Sequence, residues 1–344
     1  MNIKLTTNDP ALQEQFARLT RYLVALHHAL LLRDPELAEI AKYASIFFQG
    51  GSPMDLFDAV NSSEERQGQA KLYVVPGHYY SPIANPAELD AYVRARSDVG
   101  PDLPGIALDR EALVAAWESL LPFITTCPFP QRQTDGFRFY FQNDFFGVGD
   151  AHVLHALIRQ RMPKRYIEIG SGFSSACAVD TIDRFLPGAC EVTFVEPHPE
   201  RLHEALGERV GSARVLAVPV QSVGLDVFAE LEAGDILFID SSHVFRTGSD
   251  VCFELFEVLP RLASGVLVHF HDVGWPFEYP EPWIIDENRS WNEAYALRAF
   301  LTNNDSWKIV AFNDYFAKFE RARVARTFPE FDGNLGASLW LERR

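Results

Sequence analysis

The sequence predicts an α/β fold: a doubly wound, mainly parallel sheet of seven strands with an antiparallel last strand, preceded by a mainly helical N-terminal region. Three observations predict it. Short apolar runs recur at 166–169, 192–196, 215–220, 235–240 and 265–272, with helix-like stretches near 200–206, 225–231 and 249–262 between them. Strands that alternate with helices build a parallel sheet covered on both faces. The first run breaks into Gly170-Ser-Gly172 and then into a helical pattern over 176–185. Two further strand patterns, 307–316 and 337–342, close the chain and suit a sixth strand followed by an antiparallel seventh.

A length of 344 residues suits about two domains of ~150 residues each. The boundary falls at 135/136, with a helical and lid region over 1–135 and a ligand-binding sheet domain over 136–344. Hydrophobic residues make up 47% and charged ones 23%, the balance of a globular protein with a large core. Lys and Arg total 31 against 47 for Asp and Glu, a net charge of -16, and no Lys/Arg run offsets it. Phosphate backbones and anionic membrane surfaces repel such a chain, so nucleic acid and membrane are excluded as partners. Cys127, Cys177, Cys190 and Cys252 are widely spaced and read as reduced core thiols. The first residues lack a signal-peptide pattern and the apolar stretch 22–32 is too short to span a bilayer, so a bacterial cytoplasmic location is expected.

Within the first region, 10–48 carries helical periodicity, with Phe16, Leu19, Leu23, Leu26 and Leu30 on one stripe and a break at Pro35. That stripe suits a core or the interface of a homodimer. The polar stretch 50–69 reads as a linker. Prolines then fence Pro76-Gly-His78-Tyr79-Tyr80-Ser-Pro82, a rigid extended loop. Tyr79 and Tyr80 there suit a lid over a ligand, and equally the packing of one domain on another. Helices are expected at 110–124 and 150–161, the second leading into the first strand.

The glycine turn is the first candidate site. Gly170 and Gly172 let the backbone bend sharply and approach a ligand with no Cβ between. Ser174 or Ser175 can cap the helix that follows. Ser175 stands where a dinucleotide fingerprint needs its third glycine, so the match to that motif is partial. Glu196 closes the second strand, where a carboxylate accepts both hydroxyls of a ribose, a need that NAD and S-adenosylmethionine (SAM) share. Ligands of such sheets bind beyond the carboxyl ends of the strands, which brings in Gln221, Asp240, His243, His269, His271 and Asp272. Ser290-Trp-Asn-Glu293 reads as a capping box that opens a helix through Leu301.

With these residues in view, the chain resembles a group of bacterial class I SAM-dependent methyltransferases. They are Rossmann-like proteins, similar in the catalytic domain to sugar and macrolide O-methyltransferases. The likeness is carried by Glu168-Ile-Gly-Ser-Gly-Phe-Ser-Ser175, Val195-Glu-Pro-His-Pro199, Phe238-Ile-Asp-Ser-Ser-His-Val244 and Val268-His-Phe-His-Asp272, with Pro276-Phe-Glu-Tyr-Pro280 and His78-Tyr-Tyr-Ser-Pro82. The resemblance implies SAM as cofactor. Gly170, Ser171, Gly172 and Ser174 would lie against its methionine half, with Glu168 supporting the loop or the amino group. Glu196 would bind the ribose, Gln221 and Ser222 would lie near the adenine, and Asp240 near the methyl group. Metal-dependent sugar relatives use three carboxylates in this region. Here His271 precedes Asp272 where a Glu-Asp pair would stand, so a divalent metal is not favoured.

Methyl transfer from a sulfonium is an in-line displacement, in which alignment does much of the work. A base is needed where the acceptor must lose a proton. His243 and His271 are candidates, with Asp272 orienting one of them or serving as the base itself. His269, placed on the other face of its strand, reads as structural. A second use of Asp240, His243, His271 and Asp272 is to hold a divalent ion. Trp275, Phe277, Tyr279, Trp283 and Trp291 suit a sugar or small aromatic acceptor, Trp275 foremost, or else a core. The expected function is methylation, on oxygen, of a small-molecule or sugar-like acceptor. An NAD-type oxidoreductase and a SAM-fold protein that binds without catalysis are the alternatives.

Overall fold

The computed structural model describes residues 9–31, 35–63, 73–97, 99–331 and 335–344. The chain forms two compact units, Met1–Asn85 and Pro86–Arg344.

The first unit is helical, with helices Pro10–Leu31, Leu37–Phe48 and Pro53–Asn61. The leucine stripe is core: Phe16, Leu19, Leu23, Leu26 and Leu30 are buried with Ile40, Tyr43, Leu56, Phe57 and Val60. The third helix replaces part of the expected linker. Ser52 Oγ accepts the Asp55 N–H and the Asp55 carboxylate accepts the Ser52 N–H, a capping box with Pro53 at the first helical position. The rest of that stretch, 64–69, lies outside the described residues. Tyr79 and Tyr80 project into solvent, Tyr79 at 89% exposure.

The second unit holds one seven-stranded sheet in the order β3-β2-β1-β4-β5-β7-β6. Its strands are β1 Arg165–Ile169, β2 Glu191–Val195, β3 Arg214–Leu216, β4 Ile236–Ile239, β5 Leu267–Phe270, β6 Trp307–Phe312 and β7 Leu339–Arg343. β1 to β5 are parallel and β7 runs antiparallel to both β5 and β6. Every residue of β4 and β5 is buried, as continuous apolar runs in a doubly covered parallel sheet require. The order reverses between β1 and β4, which opens a crevice at their carboxyl ends.

The sheet unit begins at Pro86, not at the expected 136. The helix Arg110–Ile124 packs inside it, where Trp117 stacks on Phe316, and Arg110 and Arg323 pair with Glu320 and Glu118. Other boundaries move for local reasons. β3 ends at Leu216, short of Pro219. β6 ends at Phe312, and Asn313–Phe319 is a helix, because the buried Asn313 amide donates to Asp150 and to the Leu335 carbonyl. The stretch 249–262 is helical in three registers: an α turn Asp250–Phe253, a π turn Glu254–Val258 and a tighter turn Leu259–Arg261. The box expected at Ser290 does not form; the helix is Glu293–Leu301, and the Glu293 carboxylate is spent elsewhere. No helix among the described residues is long and apolar enough to cross a membrane.

Candidate functional site

The crevice is built from the turn after β1. Gly170 sits at φ +77°, and a Cβ on it would fall 1.8 Å from the Asp240 carbonyl oxygen. Glycine is therefore required there by the close approach of the β4 end. Gly172 differs from expectation. Its backbone is extended, and a Cβ would meet only Arg201 Cδ, at 3.5 Å. Nothing in the protein demands glycine at 172, and the space beside it stays open.

Beneath the turn lies Glu168. Its buried carboxylate accepts hydroxyl hydrogens from Tyr166 at 2.9 Å, Ser174 at 2.6 Å and Ser175 at 2.8 Å. Ser175 Oγ also accepts the Gly172 N–H at 2.9 Å. Ser174 and Ser175 thus bind the helix Phe173–Phe185 to β1 from inside its first turn and do not precede it as caps. Of the two roles expected of Glu168, the geometry supplies loop support. Burial pushes this carboxyl up to about 7, against the pull of its three hydroxyl donors.

Because folding raises it from its ordinary 4.5 to about 7, the folded protein keeps a proton there that the unfolded chain has lost. The stability this contributes is complete below pH 4.5 and is lost as pH rises through about 7. The shift is worth ~3 kcal/mol. Glu168→Gln is therefore expected to flatten the pH dependence: between mildly acidic and mildly alkaline pH, urea denaturation should show the wild type losing ~3 kcal/mol more than the variant. Parallel stability curves for the two proteins would refute the assignment.

Above the turn, Glu196 accepts the N–H of Ser171 at 3.0 Å and of His198 at 2.9 Å. A carboxylate offers about four acceptor sites, so two remain for a ligand. Ser171 Oγ is buried with no hydrogen-bond partner. A cavity of about 350 Å³ opens here, lined by Gly170, Glu196, Gln221 and Asp240 among others. The structure so brings together four residues expected at the ends of the first four strands. Gln221 Nε2 also holds the Gly248 carbonyl at 2.9 Å. Ser222 is exposed and does not line the cavity.

A second cavity, of about 410 Å³, is lined by Asp272, Trp275, Glu278, Tyr279, Trp283 and Arg96 among others. Between a residue of the first lining and one of the second lies the buried His243, whose Nε2 is 3.4 Å from Asp240 Oδ1 and 3.7 Å from Asp272 Oδ2. Its Nδ1 is 2.9 Å from Glu293 Oε2. Burial alone would drive the proton off this imidazole. The Asp240 and Glu293 carboxylates reverse that and hold His243 well above the ordinary histidine value. Burial likewise acts to raise Asp240, and the charges of His271 and His243 outweigh it, so Asp240 titrates below the usual range.

His271 Nε2 is 3.6 Å from Asp272 Oδ1, and its Nδ1 is buried without a partner. Burial lowers its pKa, and Asp240, Asp272 and Asp150 raise it by more. His269 is not on the opposite face: its ring centre is 5.6 Å from that of His271, since residues two apart along a strand share a face. It is structural nonetheless. The ring stacks on Phe238, and Nε2 meets Ser338 Oγ at 2.8 Å. Trp275 is 1% exposed, its ring packed against Phe312 and Tyr315, so it shapes the cavity as part of the core. Among the described residues no group of three His, Cys, Asp or Glu side chains is arranged to hold a metal ion. The residue that sequence reasoning missed is Glu293, hidden by a spacing that reads as a helix cap.

Residues 167–273, from β1 through the end of β5, match a family model described as Methyltransferase domain. That span contains the glycine turn, Glu196, Asp240, His243 and Asp272. An uncharacterized protein of Archaeoglobus fulgidus is 31% identical over 163 residues, which are 46% of this chain and 73% of the relative. Among solved structures, the O-methyltransferase TomG from Streptomyces achromogenes, in complex with SAM, aligns at 14% identity over 74% of this chain and 96% of its own, with a TM-score of 0.36. A SAH-bound methyltransferase from Podospora anserina aligns at 13% identity over 79% of this chain and 99% of its own, with a TM-score of 0.35.

Proposed function

The chain belongs to the class I SAM-dependent methyltransferase family, and from that premise we propose that it methylates a hydroxyl of a small, sugar-like or aromatic acceptor. The observation that carries the proposal is the line Asp240, His243, Asp272 at the ends of β4 and β5, in which His243 Nε2 lies within 3.7 Å of one carboxylate that lines the first cavity and one that lines the second.

The first cavity fits the cofactor. The spare acceptor sites of Glu196 in that cavity, with the unpartnered Ser171 hydroxyl and Gly172 on the adjoining turn, are what a nucleoside with an amino-acid tail would use. SAM, when bound, supplies a methyl group on a sulfonium that departs as the acceptor attacks in line. Asp240, kept ionised, presents negative charge on this side. On the other side Asp272 takes the proton from the acceptor hydroxyl, with His271 beside it, while the aromatic walls of the second cavity exclude water. His243, as a cation, steadies the charge that develops between the two carboxylates. The cofactor-binding machinery lies within 136–344. The net charge of -16 supports a small-molecule acceptor over nucleic acid, and the four free thiols support a cytoplasmic location.

Calorimetry tests the proposal. SAM and S-adenosylhomocysteine are expected to bind and NAD is not; NAD binding with no response to SAM would replace the methyltransferase with an oxidoreductase. Turnover of labelled SAM against metabolite fractions then identifies the acceptor.

A further inference from the structure

The helix Glu293–Leu301 begins with a carboxylate that is 1% exposed. A carboxylate at such a place ordinarily reaches back to its own helix start. Glu293 reaches His243 instead, Oε2 to Nδ1 at 2.9 Å. The backbone reciprocates: the N–H groups of Asn292 and Glu293 both donate to the His243 carbonyl, at 3.1 Å each. His243 itself stands at φ 58°, a conformation that a non-glycine residue keeps only where its surroundings impose it. Trp291 closes over the ring with centres 4.4 Å apart. The imidazole is thus held by backbone, ring face and Nδ1, and Nε2 is left to face Asp240 and Asp272.

Burial raises the Glu293 carboxyl and the facing His243 pulls it back down; to bond the carboxylate form, Nδ1 must carry a hydrogen. Were the ring neutral, the Nε2 lone pair would point at Asp240 and Asp272, two further acceptors at 3.4 and 3.7 Å. That repulsion is removed when Nε2 is protonated too. We infer that Glu293 is a positioning residue that holds His243 as an imidazolium between the two cavity linings, its Nε2–H shared between Asp240 on one side and Asp272 on the other. Which side takes cofactor and which acceptor rests on the methyl-transfer reading; the ion itself does not. Three carboxylates face the ring directly, and His271, Glu254 and Asp250 complete the titratable groups around it. Ser241 Oγ donates to Glu254 at 3.2 Å, and burial raises the Glu254 carboxyl. Arranged so, one fixed cation orients both reacting-side carboxylates at once.

NMR of protein carrying isotope-labelled histidine reads the ring directly, with His243 assigned by its loss in His243→Gln. At about pH 7.5, a unit above where a free histidine gives up its proton, the wild type is expected to show both His243 nitrogens protonated. Glu293→Gln should lower the ring's proton affinity by about tenfold or more, and Glu293→Asp should recover part of it. A neutral His243 in the wild type, or a Glu293→Gln ring that titrates as the wild type does, overturns the inference. Should Glu293→Gln fail to fold, the wild-type ring and Glu293→Asp decide by the same criteria. A wild type that binds no SAM would instead sink the methyl-transfer reading and leave the titration result standing.

Discussion

Gly170→Ala is expected to cost about 3 to 5 kcal/mol of stability and to abolish SAM binding. The added Cβ would sit 1.8 Å from the Asp240 carbonyl oxygen, with the carbonyl carbon at 2.7 Å. Both are backbone atoms, so no rotamer relieves the contact. Relief requires β1 and β4 to part at their carboxyl ends, where the Asp240 N–H donates to Ile169 at 2.9 Å and the Gly170 N–H to Val195 at 3.1 Å. The left-handed φ adds its own strain for any residue with a Cβ. Gly172→Ala is the matched control. Its Cβ enters open space, so urea denaturation should show the wild-type midpoint, while SAM affinity falls by about tenfold as the methyl occupies the ligand's volume. Full SAM affinity in Gly172→Ala would mean that the cofactor does not lie on this turn.

Much of this architecture is legible in the sequence because buried parallel strands announce themselves. β2, β4 and β5 read as apolar runs that end on polar residues; of these, Glu196 and Asp240 line one cavity, Asp272 lines another, and His243 Nε2 lies within 3.7 Å of Asp240 and Asp272. What the sequence hides is decided by tertiary partners. A strand pattern through Phe316 is cut at Phe312 because the Asn313 amide has buried partners far away in the chain. Ser290 and Glu293 have the spacing of a capping box, yet His243 claims the carboxylate. Glu168 and Ser174 carry the residue types of a ligand loop, and they bond each other below it. Gly170 and Gly172 look alike in the motif. Only the position of the β4 end separates the one the fold needs from the one a ligand would need.

Asp272→Asn is expected to lower methyl transfer by about 10²- to 10⁴-fold while leaving SAM affinity unchanged. The substitution keeps the shape of the side chain and removes its charge. Asp272 stands at φ 56°, and asparagine tolerates that conformation as well as aspartate does, so the fold should survive. The carboxylate is 21% exposed, lines the second cavity and lies between His243 Nε2 at 3.7 Å and His271 Nε2 at 3.6 Å. It is therefore the carboxyl group placed in the second cavity, with two imidazoles beside it that can hold it in position. An amide there can accept a hydrogen bond but cannot take the proton, so the acceptor would have to be methylated before its proton has anywhere to go. Asp240→Asn makes the contrast, because Asp240 lines the first cavity and its loss should appear first as weaker SAM binding. With turnover followed by label transferred from SAM, a wild-type rate in Asp272→Asn would remove the base from this position.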